Sequence, residues 1–386
     1  MPHTRRLLHP LVRALCAALA TAASLCAHAQ GGAPDLVIGN VASITNTGAG
    51  PNSKNLLLGY QIYFEHVNRN GGVRGRKVRL VNRDDDVKPD RMIEHTKQLL
   101  ADKEIVAFAG FLNTLGLNEI IKQEMLVKAK IAMIAHVGSQ DAPHFYPVRA
   151  GYNDEVRRIL DDMKSSKWKR VALVYVNQAF GPPMFKLAMD TAPGMGLDVV
   201  ATGVFESAPD KIDAGIEAVA TRVAAAKPDT VFLMAGGLGA YRFLKRYKEI
   251  HGDFVQFYAL SPADHFGLIK VAGLEKAQGV IISQCVPHPR NSALAIVREY
   301  QKMMKEYAPK EALSFYGLEG FMGAKIVVEA LRRAGPNPTR EKVLAAADTM
   351  QDFDLGDFTV SYTPARRVGS KLVDLTIIGR NGDLFR

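Results

Sequence analysis

The chain has 386 residues, 47% hydrophobic and 23% charged, an ordinary globular composition that is too long for one α/β core and suggests two domains. Its formal charge is +10, and setting aside Arg5, Arg6 and Arg13 near the start leaves +7. The remaining cations are interspersed with acids and carry no interleaved aromatic stripe, so a nucleic-acid partner is excluded.

In chain order, Arg5, Arg6 and Arg13 precede an apolar run from Ala14 to Leu25, and Ala27-His28-Ala29 has the small-x-small pattern of a signal-peptidase site. The run is shorter than the ~20 residues a membrane span needs. Residues 1–29 are therefore expected to be a signal peptide cleaved before Gln30, and the mature protein to be a soluble resident of an oxidising compartment. Cys16 and Cys26 would leave with it. Cys285, in the apolar run Gly279 to Val286, then remains as a small buried hydrophobe, with no disulfide and no metal pattern.

Leu36 to Val41 reads as a strand, Ser53 to Asn68 as a helix and Val78 to Val81 as a second strand, with Gly71, Gly72 and Gly75 turning the chain between them. This is a right-handed βαβ unit, so a parallel sheet begins here. Asp84-Asp85-Asp86 follows and reads as a solvated loop capping the next helix, Pro89 to Asp102, rather than as a cation site. Ile105 to Ala109, Leu117 to Lys128, Ile131 to Ile134 and Tyr146 to Arg149 continue as strand, helix, strand, strand.

The pattern restarts with a helix at Val156 to Lys164. Strands are expected at Arg170 to Tyr175, Val199 to Phe205, Thr230 to Met234, Val255 to Leu260 and Gly279 to Val286. Helices open at Phe180-Gly-Pro-Pro, at Ala214 and at Gly239. Arg242, Lys245, Arg246 and Lys248 read as a solvated helix face. Helices at Asn291 to Tyr307, Ser314 to Ala334 and Thr339 to Ala347 precede a β-rich tail. Gly317, Gly320, Gly323 and Ala324 suit close packing of the second of these on a neighbour.

Motifs for chemistry are missing. Gly48-Ala-Gly50 and Gly236-Gly-Leu-Gly239 lack the full dinucleotide spacing, and there is no Walker loop, nucleophile elbow or H-E-x-x-H pair. The histidines after residue 30 are dispersed without ligand spacing. An exported two-domain α/β chain with a cleft and no catalytic set is expected to bind a small molecule without a cofactor or metal, and not to be an enzyme.

Several stretches carry a family resemblance: Ile38-Gly39, Asn68-x-x-Gly71-Gly72-x-x-Gly75-x-x-Val78, Asp84-Asp85, Ala109 to Thr114, Val148-Arg-Ala150, Val171 to Tyr175, Gln178-x-Phe180-Gly181, Tyr316 to Gly320 and Ala330 to Ala334. In this order the chain resembles the leucine/isoleucine/valine-binding proteins, type I periplasmic binding proteins that serve ABC importers. The resemblance implies two doubly wound, Rossmann-like parallel-sheet lobes joined by a three-segment hinge, with the ligand cleft between them. Lobe 1 is expected at 30–151 and 287–350, and lobe 2 at 152–286 and 351–386. It further implies a monomer, resident in the periplasm, that captures a small carboxylate-bearing or amino-acid-like ligand by hinge closure and delivers it to a membrane permease. The alternative is a ligand sensor of the same fold acting on a membrane signalling partner.

Carried over residue by residue, the resemblance assigns the carboxylate to Asn113, Thr114, Val137, Gly138 and Ser139. Phe180 is either an aromatic closing from the second lobe or a core anchor of its helix. Where the amino-acid binders place a tyrosine, Gly236-Gly237 stands here. Ser261 occupies the position of the acid that grips the α-ammonium, with Asp264 and Asp154 nearby as alternative acids. An ammonium buried without an opposite charge is costly, so the expected ligand is a bulkier or non-amino carboxylate.

Overall fold

The computed structural model describes residues 33–386 except 46–49, 138–141, 207–211 and 253. The expected signal peptide lies outside the described residues. The first strand, β1 (Leu36–Ala42), is buried throughout and leads to α1 (Gly50–Arg69). Leu56, Tyr60, Phe64 and Val67 recur at helical spacing along α1 and are buried. The helix ends where Gly71 and Gly72 take positive φ, and the Gly72 N–H donates back to the Val67 carbonyl at 2.8 Å. Asn68 then pins the next strand, accepting from Val78 N at 2.7 Å and donating to Val78 O at 2.9 Å.

That strand is β2 (Val78–Asp84), followed by α2 (Pro89–Ala101), β3 (Ile105–Ala109), α3 (Thr114–Lys122), α4 (Met125–Ala129), β4 (Met133–Ile134) and β5 (Phe145–Tyr146). The single helix expected over Leu117 to Lys128 is broken, because Glu124 sits in the left-handed region at φ 53°. The five strands form a parallel sheet in the order β2-β1-β3-β4-β5.

The second half contains α5 (Tyr152–Ser165), β6 (Arg170–Val176), α6 (Gly181–Thr191), β7 (Asp198–Phe205), α7 (Ile212–Ala225), β8 (Thr230–Met234), α8 (Gly237–His251) and β9 (Gln256–Ala259). Next come α9 (His265–Ala272) and α10 (Leu274–Ala277), two short helices absent from the sequence expectation, and β10 (Ile281–Gln284). Strands β7, β6, β8, β9 and β10 are parallel neighbours.

The chain then returns. Helices α11 (Ala295–Tyr307), α12 (Phe315–Arg333) and α13 (Arg340–Ala347) share one hydrophobic core with β1 and α1, through Ile296, Tyr300, Phe321, Val327 and Val343. The small residues of α12 face α1. A Cβ at Gly320 would lie 2.0 Å from Leu56 O, and one at Gly59 would lie 2.1 Å from Gly317 O. Only glycine lets these backbones approach so closely.

The tail divides between the two sheets instead of joining the second as a block. β11 (Phe353–Asp354), β12 (Thr359–Thr363) and β13 (Arg366–Val368) form a small antiparallel sheet. Its Val360 and Tyr362 lie in the first core, where Tyr362 Oη donates to Pro147 O at 2.7 Å. Only β14 (Asp374–Ile378) and β15 (Leu384–Phe385) extend the larger sheet, antiparallel beyond β10. The molecule is thus two α/β lobes joined by three chain crossings, with the carboxyl ends of both parallel sheets opening on a cleft.

Candidate functional site

The cleft encloses about 470 Å³, within the ~300–1,000 Å³ of small-molecule sites. From the first lobe it is lined by Asn52, Val87, Val137 and the run Leu112 to Leu115, which crosses from β3 into α3. From the second lobe come Val176, Gln178 to Phe180, Ile212, Gly236 to Gly239, Arg242 and Pro262. Tyr152 at the start of α5 and Tyr316 in the first turn of α12 complete it. Most of this wall is apolar, and among the described residues lining it Arg242 is the one formal charge.

The Leu112–Leu115 loop owes its shape to the aspartates after β2. Asp85 is fully buried, accepting from Ser43 Oγ at 2.6 Å, Asn113 Nδ2 at 2.8 Å and Val87 N at 3.1 Å. Asp84 accepts from the N–H groups of Ile44, Thr45 and Asp86. Burial opposes ionisation of Asp84, but the Thr45 side chain together with these backbone bonds outweighs it and holds its carboxyl below the usual range. The aspartates are therefore internal clamps; α2 has Lys88 at its N-cap, without a side-chain cap.

Asn113 is fully committed as well, since its Oδ1 caps α3 by accepting from Gly116 N at 3.1 Å. Its side chain shapes the loop and takes up the Gly116 N–H, while Thr114 and Leu115, whose backbone N–H groups open α3, line the cleft. Such N–H groups lack intrahelical acceptors and favour an anion.

Of the residues singled out in the sequence, Asn113, Thr114, Val137, Phe180, Gly236 and Gly237 are brought together around this cavity. Gly138 and Ser139 lie outside the described residues. Phe180 is half-buried, packs on both cores of the second lobe and places its ring 5.5 Å from that of Tyr152, so lining the cleft and anchoring α6 are compatible. At Gly236 a Cβ would meet Pro262 Cβ at 2.6 Å. This glycine lets the β8–α8 loop touch the β9–α9 loop.

Ser261 is not among the lining residues. It is buried behind the cavity, where its N–H donates to Glu155 Oε2 at 2.9 Å and its hydroxyl donates to Glu155 Oε1 at 3.0 Å. The nearby acids are committed too: Asp154 accepts from Gly151 N, and Asp264 caps α9 by accepting from Gly267 N at 2.8 Å.

Ser261 belongs to a charge cluster where the lobes join. Arg149, buried ahead of α5, donates to Glu155 Oε1 at 2.7 Å, to the Ser261 hydroxyl and to Cys285 Sγ at 3.1 Å, and lies 3.6 Å from Glu319 of α12. Ser283 Oγ donates to Glu155 Oε2 at 2.5 Å. Burial lowers the proton affinity of Arg149, but the acids beside it, Glu319 and Glu155, more than reverse this and hold it firmly cationic. Burial pushes the Cys285 thiol well up, so Cys285 is buried as expected, yet in a polar network. Glu319 is pushed up to about 7, mainly by burial, with Arg149 opposing and Glu155 reinforcing. Arg149 and Glu319 lie in two of the stretches that carry the family resemblance, but nothing in the sequence pattern brings them together with Glu155, Ser261, Ser283 and Cys285, because the members come from five separate segments.

Among known proteins, a crystal structure of a substrate-binding periplasmic protein from Ralstonia solanacearum superposes with a TM-score of 0.83 at 27% identity, over 91% of this chain and 99% of that one. A branched-chain amino acid ABC transporter structure from Thermus thermophilus, with bound valine, has a TM-score of 0.78 at 18% identity, over 92% and 95% of the two chains. That level of identity speaks for the fold alone. Among curated proteins, a chemotactic signal transduction system substrate-binding protein, BasB, of Halobacterium salinarum is 25% identical over 159 residues. The match spans 38% of this chain and 37% of that relative's length. The family model described as periplasmic binding protein matches residues 35–376. With two crossed-over α/β lobes around an apolar cleft and a family match over nearly the whole described chain, the protein belongs to the type I periplasmic binding proteins.

Proposed function

We propose that the protein is the solute receptor of an ABC importer, acting in the periplasm, and that it captures a small carboxylate with an apolar body by closing its two lobes. The observation that carries this reading is the composition of the cleft wall. It is apolar over most of its extent, begins at the N-terminus of α3 beside Thr114, and among its described residues has a cation, Arg242, but no acid. A ligand α-ammonium would be desolvated there without a counter-charge, at a cost of several kcal/mol. A carboxylate would meet helix N–H groups, a hydroxyl and a guanidinium.

The lobes close as rigid bodies about the three crossings, and the closed form is the one the permease recognises. The assigned ligand contacts are Asn113 (through its backbone), Thr114, Val137, Gly138, Ser139, Phe180 and Gly237. Calorimetry with a matched pair, 3-phenylpropionate and phenylalanine, tests the ligand class, since the two differ only by the α-ammonium. The acid is expected to bind more tightly; tighter binding of phenylalanine would refute the reading.

A second reading has one observation in its favour. The BasB likeness is to a receptor named for chemotactic signalling, and the same closure could be read by a membrane signalling partner in place of a permease. Affinity capture of the ligand-loaded protein on solubilised inner membranes separates the two, by whether permease or sensor subunits are retained.

A further inference from the structure

Helix α8 carries two arginines one turn apart, and they are held very differently. Arg246 forks onto Glu217, with Nε and Nη2 each on a carboxylate oxygen, and also reaches Glu249 at 3.4 Å. Arg242, one turn nearer the cleft, lines the cavity, and its ion pair is a single Nη1 contact of 2.9 Å to Asp213. Asp213 is three-quarters exposed, and Arg242 about one-third.

An exposed, one-point pair of this kind contributes little stability and is readily exchanged. Asp213 moreover lies in the first turn of α7, where the helix dipole stabilises a carboxylate without help from Arg242. A guanidinium has five donors in a fixed fork suited to a second carboxylate.

Building on the carboxylate-receptor reading, we infer that Arg242 is the specificity-determining residue of the second lobe. It recognises the anionic group of the ligand in exchange for Asp213, so that closure is favoured by an anion and disfavoured by an amine. Tyrosine or acid positions carried over from amino-acid binders play no part in this.

The test compares 3-phenylpropionate with its uncharged amide on wild type, R242Q, R242K and D213N, with thermal unfolding of each variant as a control. Loss of a charge-assisted hydrogen bond should weaken the acid roughly tenfold or more in R242Q, weaken the amide far less, and reduce the salt dependence of acid binding. R242K should recover part of the loss, and D213N should bind the acid at least as tightly as wild type. Acid and amide weakened equally in R242Q, unchanged acid binding in R242Q, or D213N weakened as much as R242Q would each overturn the role of Arg242 while leaving the receptor reading intact. Wild type binding the amide or phenylalanine more tightly than the acid would overturn the ligand class, and this inference with it.

Discussion

Glu319→Gln is the most informative single change for the joint between the lobes. Its carboxyl is buried at 3% exposure, 3.6 Å from Arg149, in a cluster where Glu155 already makes the guanidinium's closer ion pair, at 2.7 Å. In the folded protein Glu319 is pushed up to about 7, against an ordinary 4.5. Between those values the native state holds a proton that the unfolded chain has released, so stability is full below pH 4.5 and falls as pH rises toward 7. At about 1.4 kcal/mol per unit, the loss is about 3 kcal/mol. Histidines tilt the other way: burial holds His265 down at about 4, which makes stability rise with pH between 4 and 6.5. The difference between wild type and Glu319→Gln cancels that contribution. Urea unfolding at pH 5 and pH 8 should show the variant gaining on wild type by about 2–3 kcal/mol between the two, since part of the loss is already complete at pH 5. A constant difference across that range would refute the assignment of a shared, overloaded Arg149.

Other changes test the site and the packing. Ser261→Glu would set a second carboxylate against Glu155, so it should lower the unfolding midpoint at pH 8 more than at pH 5, and should not create tight valine binding by calorimetry. Thr114→Val removes the hydroxyl at the α3 end of the cleft and should weaken a carboxylate ligand roughly tenfold with unchanged stability; unchanged affinity would move the anchor elsewhere. Gly320→Val drives a Cβ to 2.0 Å from Leu56 O and should separate α1 from α12, costing at least ~1–3 kcal/mol in denaturant unfolding.

Local order was legible where short-range chemistry decides it. The turn glycines after α1, the buried strands β1 and β3 and the helix starts at Ser314 and Thr339 follow from residue type and spacing, and both residues turn out to be caps. The break at Glu124 and the short helix α9 were not, since a left-handed non-glycine and an eight-residue helix are held by tertiary packing. The return of α11 to α13 to the first lobe followed from the family resemblance and not from chain order.

The site was legible in part. The loop Asn113–Thr114 and the aromatic Phe180 do meet at the cleft, but the reason for Asn113 is its bond to Asp85, a pairing across 28 residues. Ser261 has its partners at Glu155 and Arg149, more than 100 residues away, which no spacing reveals. Arg242 was hidden among the cations of α8, because a solvated face and a cleft wall share one helical period until the second lobe is folded.

The central claim is that a carboxylate closes the two lobes on each other. Small-angle scattering of the ligand-stripped protein, titrated with 3-phenylpropionate, tests it most directly. A saturable decrease in radius of gyration, with its midpoint at the calorimetric Kd, is expected. Calorimetric binding with an unchanged radius of gyration, or compaction by phenylalanine alone, would contradict it.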